Sequence, residues 1–308
     1  MFSKLLGKKE PKKNELPTIS PGLRSTMMTF LGNRGIPSMP SSAHRTFSLT
    51  VDPNATAKDF IDVIESDESM AARILKISNS VYFDRGTPSR DIEESVNKIG
   101  LNELRCILNA NSLPELLPSN HSLRPQLWAN DIATAIIARS IAGNLAPANV
   151  GTAFLAGLMH DIGKLLLLQR TDKEYGQVAA LVKQDGRSFC SAEEEILAFN
   201  HCELGQVVGE KWNFTPDIIT AIREHHNNWS DLSSSRPVSI TAIVKAANCI
   251  SHALGIGHGA CFNKLRMACD ERVDEAFSAI GLPVNQRKSL LEQYLRTFEM
   301  ESEIYTFK

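Results

Sequence analysis

From Phe60 almost to the end of the chain, apolar residues recur three and four positions apart, and no run of β-branched residues alternates with period two. That spacing places the apolar side chains of each segment on one helix face, so the chain is predicted to be all-α. Thr56 and Asp59 have the form of a capping box ahead of Phe60, Ile61 and Ile64. Asp67 can cap a second helix, whose apolar face is Met70, Ala71, Ile74 and Ile77 and which ends at Asn79 and Ser80. Ile92, Val96 and Ile99 form another stripe, stopped by Gly100. A longer helix is marked by Trp128, Ile132, Ile136, Ile137 and Ile141. The strongest stripe is Leu155, Leu158, Met159, Ile162, Leu165 and Leu166. Further helices are expected around 175–183, 193–199, 204–212, 216–225 and 240–254, and 271–299 reads as two amphipathic helices broken at Gly281-Leu282-Pro283.

With 43% hydrophobic and 22% charged residues, the 308-residue chain can enclose a sizeable core. Its net charge is -2, which argues against a broad nucleic-acid groove. The stretch 94–108 could imitate a helix-turn-helix, but Lys98 and Arg105 face Glu93, Glu94 and Glu103, so no nucleic-acid partner is expected. Apolar runs such as 165–168 are far too short to span a bilayer. Six cysteines lie scattered without a CxxC pair, so neither a disulfide framework nor a zinc ribbon is expected, and a reducing cytoplasm is the natural setting. Lys4, Lys8, Lys9, Lys12 and Lys13, interleaved with Phe2, Leu5 and Leu6, read as a frayed basic tail, with contact to an anionic membrane surface as the alternative. Pro17, Pro21 and Gly22 read as a linker, and 32–53 as a second loose stretch. The expected organisation is a tail and linker over 1–35, a helical domain over 36–230 with halves at 36–120 and 121–230, and an extension over 231–308. The extension either packs back on the bundle or makes a homodimer contact.

Histidines cluster where the helices are strongest. His160-Asp161 sits inside the strongest stripe, His201 precedes Glu203, and His225-His226 closes a helix beginning near Pro216. Imidazole nitrogen and carboxylate oxygen suit zinc, manganese or iron, and helices of a bundle can aim such groups at one interior point. A buried His-Asp pair is costly unless paired or ligated. The plainer reading is a set of hydrogen-bonded core side chains.

The segment Ala156-Gly-Leu-Met-His-Asp-Ile-Gly-Lys-Leu165 resembles the signature helix of HD-domain proteins. Ile64–Ser80 with its Asn-Ser ending, Ile92–Leu101, His201-Cys-Glu-Leu-Gly205, Trp212 with Pro216, and His225-His226 follow in the order of the HDOD family, the HD-related output domains of bacterial signalling. The resemblance covers roughly 36–229. It implies an HD-like helical bundle with a smaller N-terminal helical half and a regulatory role.

HD phosphohydrolases take metal ligands in the order His, His-Asp, Asp. By that resemblance the first position falls on Asn130, beside Asp131, and the last on Asn248. A neutral amide is a weak ligand for a transition metal, so the site reads as degenerate. His160, Asp161, His201, His225 and His226 remain as candidate ligands for at most a weakly bound divalent metal, and no other cofactor is expected. Asn130 and Asn248 are expected to hydrogen-bond His160 and Asp161 in place of a metal. The predicted function is a non-catalytic signalling module that binds a partner protein or a small ligand. The alternative is a metal-dependent phosphohydrolase acting on a nucleotide or cyclic dinucleotide, with Lys164 or Arg223 contacting phosphate.

Overall fold

The computed structural model describes residues 16–305 apart from 40, 53, 84, 233–237 and 258–261. The basic tail at 1–13, with its membrane-surface alternative, lies outside the described residues. No strand occurs among those described, and the chain is all-α. The N-terminal part holds α1 (Pro21–Leu31), α2 (Ser41–Val51), α3 (Ala57–Glu65), α4 (Glu68–Ser78), α5 (Ile92–Ile99) and α6 (Leu101–Leu116). Then come α7 (Arg124–Leu145), α8 (Val150–Met159), α9 (Ile162–Arg170), α10 (Asp172–Asp185), α11 (Phe189–Leu197), α12 (His201–Lys211), α13 (Pro216–Glu224) and α14 (Trp229–Leu232). The chain closes with α15 (Ile240–Ala253), α16 (Asn263–Asp270), α17 (Val273–Ile280) and α18 (Arg287–Tyr305).

Local signals in the sequence set several of these boundaries. At α3 the Thr56 backbone donates to Asp59 at 2.8 Å while the Asp59 backbone donates to the Thr56 hydroxyl, the reciprocal box expected there. Asp67 accepts from Met70 N at the start of α4. At its end the Asn79 amide donates to Ser89 O and accepts from Ser89 N, pinning the loop that leads to α5. The break at 281–283 separates α17 from α18.

Two stretches differ from expectation. The linker reading of 1–35 does not hold over 21–31, where Ser20 caps α1 through Leu23 N and Pro21 occupies its first turn. Met27 and Leu31 of α1 are buried, and Phe30 meets Phe199 edge to face at 5.4 Å. Gln206 donates to Pro17 O, Arg170 to Gly35 O and Trp212 to Pro37 O, so this segment is strapped across α9 and α12. Within 32–53, α2 buries Ala43, Thr46, Phe47 and Thr50, a 3.6-residue stripe diluted by serines and threonines.

The core is built on α7 and α8, with α15 packed across both. Both α7 and α15 bury most of their surface, as helices enclosed on several sides must. Gly157 lets α8 lie directly on α7, since a Cβ there would stand 2.9 Å from Ala135 Cα. The boundary expected at 230 does not separate two packing units, because α15 belongs to the same core as α7, α8 and α13. At the C-terminus α18 packs on α7 and α6, where Arg139 pairs with Glu103 and Glu301, and Tyr305 is buried against Phe154. The stretch Val150–Arg170 is apolar and long enough to cross a membrane, and 83% of its most apolar window is buried inside the protein.

Candidate functional site

His160 and Asp161 do not lie inside one helix as the apolar stripe predicts. They form the turn between α8 and α9. The next turn of chain is pressed against the start of α12: a Cβ on Gly163 would stand 2.0 Å from the His201 carbonyl oxygen. Only glycine permits that approach, and it brings Asp161 to His201. His201 is itself fixed as the first residue of α12 by a capping box, in which Asn200 accepts from Cys202 N and Glu203 N while Glu203 accepts from Asn200 N. His225 caps the end of α13, and Asp131 projects from α7.

Asp161 is the centre of the cluster. Its Oδ2 accepts from Lys164 Nζ at 2.6 Å and lies 3.4 Å from His160 Nε2. Its Oδ1 faces His201 Nε2 at 3.2 Å and His225 Nε2 at 3.6 Å. His160 Nδ1 donates to Gly157 O at 2.8 Å and His225 Nδ1 to Ile222 O at 3.0 Å, so each turns an Nε2 lone pair toward the carboxylate. His201 Nδ1 donates to Glu193 Oε2 at 2.6 Å, and Glu193 also accepts from the Tyr175 hydroxyl at 2.9 Å. This Tyr175–Glu193–His201 chain orients the ring, as outer carboxylates do for metal-binding histidines. Asp131 Oδ1 lies 3.8 Å from His160 Nδ1.

Electrostatics follow from burial. Desolvation lowers His160 to about 4, against the pull of Asp161. Burial also holds His225 well below its usual value, helped by His226. Burial and the nearby Asp161 carboxylate raise Asp131 well above the ordinary range, so it keeps its proton. Asp161 goes the other way: burial would raise it, but the attraction of the groups around it, the Lys164 ammonium and the His201 ring among them, outweighs burial and holds it well below the ordinary range. Burial would lower His201 and Lys164, yet the thiols and Glu193 around His201, and Asp161 beside Lys164, outweigh it and raise both above their usual values. The His201 ring therefore stands between two carboxylates, Glu193 at Nδ1 and Asp161 at Nε2.

Asn130 and Asn248 are buried but bond each other at 3.2 Å, and Ser251 donates to Asn130 at 2.8 Å. They do not hydrogen-bond His160 or Asp161 as expected. Asp131, one residue on, faces His160 instead. Both Asp131 oxygens, His160 Nε2, Asp161 Oδ1 and His225 Nε2 are buried with no hydrogen-bond partner among the described residues. Such atoms are costly to leave bare, and their chemistry fits a divalent cation. Asp131, His160 and Asp161 can converge on one ion, as can Asp161, His201, His225 and the exposed His226. Lys164 is buried on Asp161 and does not present its ammonium to a phosphate. Arg223 pairs with Glu203 at 3.4 Å.

The sequence reading put the first ligand position on Asn130 with Asp131 only as its neighbour, and gave Glu193 no role, though both carboxylates sit at core-facing positions of apolar stripes, Leu127–Asp131–Ala135 and Phe189–Glu193–Leu197. A carboxylate on such a face is the available signal. Tyr175, Cys190 and Cys202 reach the cluster through tertiary contact alone.

The HDOD domain model matches residues 36–228. A curated uncharacterized protein from Treponema pallidum (strain Nichols) is 23% identical over 218 residues, 70% of this chain, and the match spans 42% of that relative's length. The crystal structure of an HDOD domain protein of unknown function from Geobacter sulfurreducens has a TM-score of 0.70 at 22% identity, covering 90% of this chain and 99% of that one. A candidate signal transduction protein from Marinobacter aquaeolei VT8 also has a TM-score of 0.70, at 19% identity over 91% of this chain and 64% of that one. A candidate phosphohydrolase from Shewanella amazonensis SB2B has a TM-score of 0.66, at 20% identity over 91% and 98%. With the family model spanning most of the chain and the His-Asp turn at the heart of the matched fold, the protein belongs to the HDOD domain family.

Proposed function

We propose that the chain is a non-catalytic signal-transduction module of the HDOD type, acting through a protein partner or a small ligand. The observation that carries this reading is the closure of the cluster: His160, Asp131 and His201 are 0% exposed, Asp161 and His225 1%, and Lys164 2%. A phosphoester must reach its catalytic groups, and here helices α7, α8, α9, α12 and α13 enclose all of the candidate ligands except His226, which is exposed. A cleft of about 580 Å³ is lined by Arg34, Ser119, His121 and Arg170, and takes none of its lining from the cluster. Lys164 supplies Asp161 with an internal counter-charge, and the Asn130–Asn248 pair adds no ligand charge. The fold likeness to a candidate signal transduction protein agrees with this role.

The bare polar atoms favour a second reading, a metal-dependent phosphohydrolase. Asp131, His160 and Asp161 would hold the ion, and Asp131 would give up its proton to do so. A bound divalent ion supplies Lewis-acid chemistry toward water and phosphoryl oxygen. Lys164 would keep Asp161 oriented, and Gly157 O would hold His160 in the tautomer with Nε2 free. The deciding experiment assays phosphomonoesters, phosphodiesters and cyclic dinucleotides with manganese, iron or zinc. Rates equal to those of Asp161→Ala are expected; turnover that disappears in that variant moves the assignment to the enzyme.

A further inference from the structure

Cys190 and Cys202 are far from any CxxC pattern, yet folding places them side by side. Cys190 lies in the first turn of α11 and Cys202 in the first turn of α12. Their sulfurs are 3.9 Å apart, a contact distance and not a disulfide. Cys190 Sγ also lies beside the His201 ring, 3.8 Å from Nδ1 and 3.9 Å from Nε2. His226 completes the group, its ring 5.3 Å from that of His201. One ligand atom from each of Cys190, His201, Cys202 and His226 falls within 4.8 Å of all the others.

Zinc bonds thiolate sulfur at about 2.3 Å and imidazole nitrogen at about 2.0–2.1 Å, so its tetrahedral ligands stand roughly 3.4–3.8 Å apart. The two sulfurs, at 3.9 Å, already stand close to that spacing, and the widest pair, within 4.8 Å, has to close by about 1 Å to meet it. Two sulfurs with two nitrogens is the donor set of a soft or borderline ion, unlike the carboxylate-rich cluster at Asp161. Access differs as well. Cys190 is partly exposed and His226 exposed, so an ion can enter from solvent without opening the core. The outer shell is already in place, because Glu193 holds His201 Nδ1 and leaves Nε2, which faces Asp161 at 3.2 Å, as the ligand atom for which the two sites compete.

We propose that Cys190, His201, Cys202 and His226 form a thiolate-containing site for zinc or a similar soft divalent cation, distinct from the Asp131–His160–Asp161 group. The two sites are coupled through shared ligands. His201 Nε2 faces Asp161 at 3.2 Å, and His201 and His226 also belong to the Asp161–His225 set. An ion on the sulfurs takes both imidazoles for itself and leaves Asp161 with His160, His225 and Lys164. Occupancy of the thiolate site therefore sets how many ligands the buried centre retains.

The full chain, reduced and stripped with a chelator, is titrated with cobalt(II). The expected result is a thiolate-to-cobalt charge-transfer band that saturates with the tetrahedral visible bands and is displaced by zinc. Zinc should also protect Cys190, the partly exposed thiol of the pair, from a thiol reagent. Cys190→Ser, at a partly exposed position, should at least halve the charge-transfer band, and Cys190→Ser with Cys202→Ser should abolish it, while keeping the helical circular dichroism. Asp161→Asn should keep it. Cobalt binding without a charge-transfer band in the wild type, or equal thiol reactivity with and without zinc, overturns the proposal. The thiol-protection measurement needs no variant, so a misfolded substitution cannot obscure the result. None of these readouts depends on phosphoester turnover.

Discussion

At the scale of single residues, Asp131 supplies the ionisable carboxyl that Asn130 and Asn248 lack. In chelated protein it holds its proton, so Asp131→Asn replaces one neutral hydrogen-bonding group with another of the same shape. The thermal midpoint of that variant should match or exceed the wild type when metal is removed. With added manganese or zinc the wild type should gain stability and the variant less, each tenfold loss of affinity showing as about 1.4 kcal/mol less stabilisation. Calorimetry across a cation series measures both. Gly163→Ala drives a methyl group into the His201 carbonyl, and neither backbone can yield without separating α9 from α12. A loss of about 3 kcal/mol or more is expected in denaturant unfolding. His160 gives a pH signature. Its value is about 4 when folded against 6.5 ordinarily, so between those limits the unfolded chain binds a proton that the folded chain refuses. Stability from this group is complete above pH 6.5 and falls as pH drops toward 4. His225 acts in the same direction and His201 in the opposite one. The difference in pH slope between wild type and His160→Gln, in chelator, isolates the His160 share; equal slopes refute it.

At the scale of elements, α18 is held by a polar clamp as well as by its apolar face. Arg139 on α7 pairs with Glu103 on α6 at 2.7 Å and with Glu301 on α18, while Tyr305 donates to Glu103 and Tyr82 to Glu301. Arg139 is only 14% exposed, so Arg139→Ala leaves two carboxylates facing each other in a half-dry interface. A loss of about 3 kcal/mol is expected, with amide exchange across 287–305 accelerating more than in α7. The capped helices were the legible ones. Thr56 with Asp59, Asp67 and Gly100 act through partners within four residues, so their roles can be read along the chain. α1 and α2 were harder, because proline, glycine and serine mark both loops and helix starts. Pro21 after Ser20 is a helix start only because Met27 and Leu31 find a surface on which to bury.

At the scale of the whole molecule, the periodic stripes and the absence of alternating runs determined an all-α chain, and ordered motifs around His160-Asp161 determined its HDOD family. Those properties depend on near neighbours and on spacing, which the sequence displays directly. The composition of the polar centre did not follow from spacing. Whether Asn130 or Asp131 faces His160 depends on how α7 is rotated against α8, a rotation tied to the Gly157 contact and to α15 packed across both. The break of the strongest stripe into α8 and α9 depends on the Gly163 contact with α12, thirty-eight positions along the chain. The meeting of Cys190, Cys202 and His226 required the crossing of three helix ends. Local chemistry chooses a helix from a few residues at a time, whereas a buried site is assembled by close packing between distant ones, and only the tertiary structure decides which side chains share it.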